Sequence, residues 1–207
     1  MSMNSFPSSW RRRFRDIVNF GEGAMRARRT ERAYAHVAWL MIAGLIYCIW
    51  NAHEFGVALI PTFCLAVILV AIALFDARYF IVPDLYALAL AAIGALRAAL
   101  LGSHIFIDGL IAAALAYGGL RGASYLYARR RGVPGLGQGD AKLLGAGGFW
   151  IGVAGLPTCL LEATLSALLS LIILARLGNK LHARSAIAFG PHLALAIWLV
   201  WIFGPLR

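Results

Sequence analysis

Residues 56–84 read GVALIPTFCLAVILVAIALFDARYFIVPD. Positions 56–75 of this stretch carry no charge, and about 20 apolar residues are what a helix needs to cross the hydrocarbon of a bilayer. Asp76 follows at once, with Arg78 two residues on. A span ending on an acid puts that acid at the membrane boundary, where a carboxylate is costly unless paired, solvated or used. Working outward, similar apolar runs recur on both sides. The spans read as 35–51, 56–75, 85–102, 105–128, 142–155, 157–176 and 187–203, about seven crossings within a range of six to eight. The fifth is short and glycine-rich (Gly145, Gly147, Gly148, Gly152, Gly155), so it either lies half-buried among the others or merges with the sixth. The expected fold is all-α, a polytopic transmembrane helix bundle. Residues 1–34 form a basic cytoplasmic tail and 35–207 the integral-membrane domain.

Composition agrees with that reading. Of 207 residues, 61% are hydrophobic and 14% charged, with a mean hydropathy of +0.78, whereas soluble domains carry about a quarter charged residues. The net charge of +10 raises nucleic acid as a partner, but the bases fall in the tail and in alternate joints between spans. They include Arg11, Arg12, Arg13, Arg15, Arg26, Arg28, Arg29 and Arg32 before the first span, and Arg78 after the second. Arg129, Arg130 and Arg131 follow the fourth, and Arg176, Lys180 and Arg184 the sixth. The opposite joints (51–55, 101–104 and 154–157) contain neither Lys nor Arg. Positive charge marks the cytoplasmic side, so the N-terminus, Asp76 and Asp140 are assigned there, against an anionic leaflet and not nucleic acid.

The tail also places Trp10, Phe14, Ile17, Val18 and Met25 near helical spacing, which suits a basic amphipathic helix on the leaflet. A disordered topology signal is the alternative. No secretory signal peptide is expected, because the first long apolar run follows the basic tail without a small-residue cleavage site. Arg97 and Arg121 lie near span ends and are expected to snorkel to the headgroups. Cys48, Cys64 and Cys159 stand apart in apolar stretches as packing residues. They have no metal-ligand spacing, so neither a metal nor a cofactor is implied.

Asp76 and Asp140 are separated by two complete crossings, so parity returns both to one face. A pair of neighbouring carboxylates shares a proton, because both cannot ionise cheaply. One can then act as general base on water while the other, protonated, polarises a carbonyl. Gly137 and Gly139 allow a sharp turn and close backbone approach before Asp140. The structural alternatives are helix capping by Asp140 and a charged span end at Asp76. Pro83-Asp84 reads as a helix start with Asp84 as cap. Glu162 is expected to play a hydrogen-bonded structural role near the outer end of the sixth span. His192 is expected to be a polar residue at a helix start.

Three ordered elements carry a resemblance. Asp76-Ala-Arg-Tyr-Phe-Ile-Val-Pro83-Asp84 resembles the first signature of type IV prepilin peptidases, and Gly137-Gln-Gly139-Asp140-Ala-Lys142-Leu their Gly-x-Gly-Asp-x-Lys-Leu signature. Phe189-Gly190-Pro191 is similar to their late Phe-Gly-Pro element. The resemblance spans roughly residues 56–203. It implies a catalytic pair of Asp76 and Asp140, supported by Gly137, Gly139, Lys142, Pro83, Asp84, Gly190 and Pro191. The implied activity is aspartic endopeptidase cleavage of the basic leader of a prepilin or pseudopilin precursor, at the cytoplasmic face of the bacterial inner membrane. The chain holds no Cys-x-x-Cys pair, so the resemblance is to the short, peptidase-only branch, and N-methyl transfer is not expected. A presenilin-like protease shares the Gly-x-Gly-Asp idea, but its Tyr-Asp and Pro-Ala-Leu elements are absent. The alternative outside peptidases is a small ion- or proton-coupled transporter using the same acids, although no internal repeat supports it.

Overall fold

The computed structural model describes residues 34–50, 59–131, 137–176 and 188–206. The expected amphipathic tail, the joint at 51–55 and the bases Lys180 and Arg184 lie outside the described residues. Those described form six helices: α1 (Ala35–Trp50), α2 (Leu59–Tyr79), α3 (Asp84–Leu101), α4 (Ser103–Arg131), α5 (Gln138–Arg176) and α6 (Gly190–Phe203). Four of them, α2 to α5, are long and apolar enough to cross a membrane, while α1 and α6 are shorter apolar helices.

The longest element corrects the expected joint between the fifth and sixth spans. Instead of a loop at 154–157, α5 breaks at the single residue Gly152, with φ 66° and ψ 179°, and Pro157 lies inside the helix. That backbone region is open essentially to glycine alone. Asp108 of α4 reaches across to accept the amide of Val153 at 3.3 Å, capping the segment that starts after the break. Contacts along α6 give the direction of each limb. On the first limb, Gly147 packs on Ile197 and Trp150 meets Trp201 edge-on at 5.3 Å. On the second, Thr158 accepts the Leu206 amide at 3.1 Å, yet Ser166 meets His192 at 2.8 Å. The first limb (138–151) therefore runs along α6 and the second (153–176) runs back against it.

Small residues set the closest helix approach. A Cβ added at Gly148 would lie 2.5 Å from the Ala113 amide nitrogen, and one at Gly145 3.1 Å from Tyr117 Cβ. Thus α4 and the first limb of α5 meet backbone to backbone, the packing that membrane bundles use in place of a hydrophobic driving force. The hub is α6, whose residues 190–198 are all buried, in one core cluster with Leu65, Leu69, Ile72, Leu90, Leu143 and Leu144. Outside, Leu85, Leu88, Leu96 and Leu100 of α3 are exposed. A ring of large exposed aliphatics would be a liability in water and is what lipid requires. The Arg97 guanidinium stacks 4.2 Å above the Trp201 ring, a cation–π contact between α3 and α6.

Candidate active site

At one end of the bundle a cleft of about 780 Å³ opens among α2, α3, α5 and the segment entering α6. Asp76, Pro83, Asp84, Gly137, Gly139, Asp140 and Lys142 all line it, together with Val82 and Phe189. The parity expectation therefore holds as geometry, with both acids facing one space.

Helix ends and close glycine contacts set the approach to these side chains. Asp76 lies in the last turn of α2, buried to 6% exposure, further inside the helix than an acid terminating a span at residue 75. Beyond it the helix closes with the Phe80 amide donating to the Asp76 carbonyl at 2.9 Å. Phe80 itself takes φ 56°, the left-handed conformation that ends helices and is uncommon without glycine. The turn sends Val82 back across the start of α5, where a Cβ on Gly139 would sit 2.9 Å from Val82 Cγ2. Glycine is needed at 139 for this close approach. At Gly137 the neighbour is the acid itself, since a Cβ there would lie 2.9 Å from Asp140 Oδ2. Asp140 stands in the first turn of α5, where the helix dipole favours a negative group.

Asp76 is held by a backbone group 114 residues away. The Gly190 amide donates to Asp76 Oδ2 at 2.9 Å, and a Cβ on Gly190 would come within 2.5 Å of that oxygen. Pro191 occupies the first turn of α6, where its missing N–H costs nothing. The Phe-Gly-Pro element thus delivers a helix N-terminus to a buried carboxylate.

Asp84 does not cap its helix. The cap position is Pro83, with no side-chain cap bond, and Asp84 instead pairs with Lys142 across the cleft mouth. Glu162 buries its Oε2 without a hydrogen-bond partner among the described residues. His192 is the residue the sequence reading undervalued. It is fully buried and bonded to Ser166, and only its polarity beside the Phe-Gly-Pro element could have signalled this. Tyr34, just before α1, was not singled out. Its hydroxyl accepts the Ala188 amide at 3.0 Å, and burial pushes its phenol up to about 12, with the backbone bond to Ala188 opposing and the Asp76 charge adding. Among the described residues no His, Cys, Asp and Glu cluster is suited to a metal.

These features define a class: a helical membrane protein with a carboxylate-lined cleft at one end of its bundle. Residues 63–175 match the Type IV leader peptidase family. The chain belongs to that family. It is 33% identical over 167 residues to a prepilin leader peptidase/N-methyltransferase of Xanthomonas campestris pv. campestris, covering 77% of this chain and 56% of that protein. The protein of the same name from Pseudomonas aeruginosa is 35% identical over 142 residues, 66% of this chain and 47% of that one. For Dichelobacter nodosus the figures are 34% over 177 residues, 83% and 58%. The chain spans about half the length of the curated relatives it matches. No solved structure matches it.

Proposed function

We propose that the chain is a membrane aspartic endopeptidase that removes the basic leader of type IV prepilin-like or pseudopilin precursors at the cytoplasmic face of the inner membrane. The observation that carries this reading is the meeting of Asp76 and Asp140, from helices remote in sequence, in one cleft at the bundle end. One carboxylate takes a proton from water as the oxygen attacks the scissile carbonyl, while the protonated partner donates to the carbonyl oxygen. Collapse of the tetrahedral species expels the amine, which leaves with a proton returned by the pair. The Gly190 amide fixes Asp76 for this exchange.

All seven apolar segments, counting the two limbs of α5 separately, cross the bilayer or enter it deeply, with the arginine-bearing ends on the cytoplasmic side. A substrate's apolar segment then lies in lipid beside the bundle, and its leader junction reaches the cleft at the boundary. Of the two activities in the relatives' names, the paired carboxylates account for the peptidase.

The test is leader cleavage by the purified protein in liposomes. Asp76→Asn and Asp140→Asn are each expected to lose at least about 100-fold, the usual contribution of positioned acid–base groups, at unchanged membrane abundance. Full activity in either variant sinks the pair. Acid-dependent cation uptake without any cleavage would establish the transporter reading.

A further inference from the structure

The Gly190 amide holds the Asp76 carboxylate, so whatever fixes residues 188–192 also fixes Asp76. Side chains from two distant elements grip this segment on either side of Gly190. Before it, the Tyr34 hydroxyl accepts the Ala188 amide at 3.0 Å and donates to the Ala188 carbonyl at 3.4 Å. After it, His192 Nδ1 lies 2.8 Å from Ser166 Oγ on the second limb of α5. Ser166 Oγ is in turn 3.1 Å from His36 Nε2, and the His36 ring stacks on His192 at 5.9 Å. Tyr34 also packs against His192, with ring centroids 5.4 Å apart.

A histidine is a poor choice here for packing alone. His192 is 0% exposed and its Nε2 has no hydrogen-bond partner among the described residues, a burial that disfavours it against an apolar side chain of similar size. What imidazole offers and leucine does not is the bond to Ser166. That bond ties the start of α6 to the second limb of α5, which continues from the limb that carries Asp140.

We propose that Tyr34 and the Ser166–His192 hydrogen bond act as a positioning clamp on residues 188–192, setting the Gly190 amide and through it the Asp76 carboxylate relative to Asp140. The inference rests on the reading of Asp76 and Asp140 as the hydrolytic pair. Tyr34, Ser166 and His192 are positioning residues, acting through the backbone and not on substrate.

The test uses the full chain in liposomes and a synthetic peptide with a basic leader, a small residue and an apolar segment. Ser166→Ala is expected to lower kcat roughly 10- to 100-fold with KM within about twofold, since misplacing a reacting group by about 1 Å costs on that order. Ser166→Thr keeps the hydroxyl and is expected to restore kcat to within about threefold. Tyr34→Phe, which loses only the grip on Ala188, should lower kcat in the same manner, and it decides the matter alone if Ser166→Ala does not insert. Wild-type kcat in Ser166→Ala and Tyr34→Phe overturns the clamp, as does a change confined to KM or an equal loss in Ser166→Thr. An Asp76→Asn variant run alongside separates the two levels. If it is active, the catalytic reading itself fails; if it is dead while the clamp variants are normal, only the clamp fails.

Discussion

Glycine at position 190 is the sharpest single-residue constraint on the cleft. A methyl group there would meet Asp76 Oδ2 at 2.5 Å, so Gly190→Ala must displace the carboxylate or lose the amide bond that orients it. Leader cleavage by Gly190→Ala is expected to fall about 100-fold while the protein still inserts, the scale of a roughly 1 Å misplacement. Comparison of initial rates at matched membrane abundance checks this. Asp84 should behave differently. Its pairing with Lys142 joins two side chains that are 79% and 38% exposed, and exposed ion pairs contribute about 0–1 kcal/mol. Asp84→Asn should therefore keep activity within about fivefold of wild type, and a variant as inactive as Asp140→Asn would give Asp84 a chemical role. The two acids at span ends were legible from residue type and hydropathy alone, because a carboxylate at membrane depth is anomalous wherever it stands. Their holders were not. The Gly190–Asp76 bond joins positions 114 residues apart, and no local pattern encodes a backbone amide aimed at a side chain that distant.

At the scale of elements, the reversal in α5 determines where the second limb goes, and hence where Ser166 meets α6. Hydropathy legibly gave two apolar runs there, at 142–155 and 157–176, but put the joint at 154–157, where the two runs meet. Pro157 instead lies inside the second limb, and the turn falls on Gly152. Glycines are frequent in this stretch, so composition could not say which one reverses the chain. Contact with Asp108 singles it out. A Cβ at Gly152 would strike Asp108 Oδ2, and the backbone conformation itself costs a non-glycine residue about 1–3 kcal/mol. Gly152→Ala is accordingly expected to lower the thermal unfolding midpoint by several degrees, on the scale of about 2–4 °C per kcal/mol for a chain of this size. Asp108→Ala, which removes only the cap on Val153, should cost about 0.5–2 kcal/mol. An unfolding midpoint for Gly152→Ala equal to wild type would mean that the reversal tolerates a side chain and that its position is set elsewhere.

Across the whole molecule, register shows how deep the cleft lies. Tyr117 of α4 packs on Gly145, so Asp140, five residues before Gly145, stands level with about residue 122 of the antiparallel α4. The exposed Arg129 and Arg130 then extend roughly 10 Å further along the axis at 1.5 Å per residue. By the same count from Ser166 and His192, Arg176 projects about two turns beyond Gly190. The carboxylates are thus recessed below a collar of arginines, which suits chemistry just inside the headgroups. Basic joints in the sequence assign helix ends to one side, because lipid charge acts on loops irrespective of how the helices pack. The depth of the recess depends on helix lengths and offsets, which appear only in the packed bundle. Cysteine accessibility tests the arrangement. In a background lacking Cys48, Cys64 and Cys159, single cysteines replacing Arg78 or Arg130 should react with a membrane-impermeant thiol reagent only from the cytoplasmic side. Replacements at Ser103 or Leu206, exposed at the opposite end, should react only from outside. Labelling of the Arg78 and Arg130 positions from opposite faces would separate the ends of α2 and α4, and with them the acids that the cleft brings together. Labelling of both from outside would leave the cleft intact but invert its orientation, placing the leader junction beyond its reach.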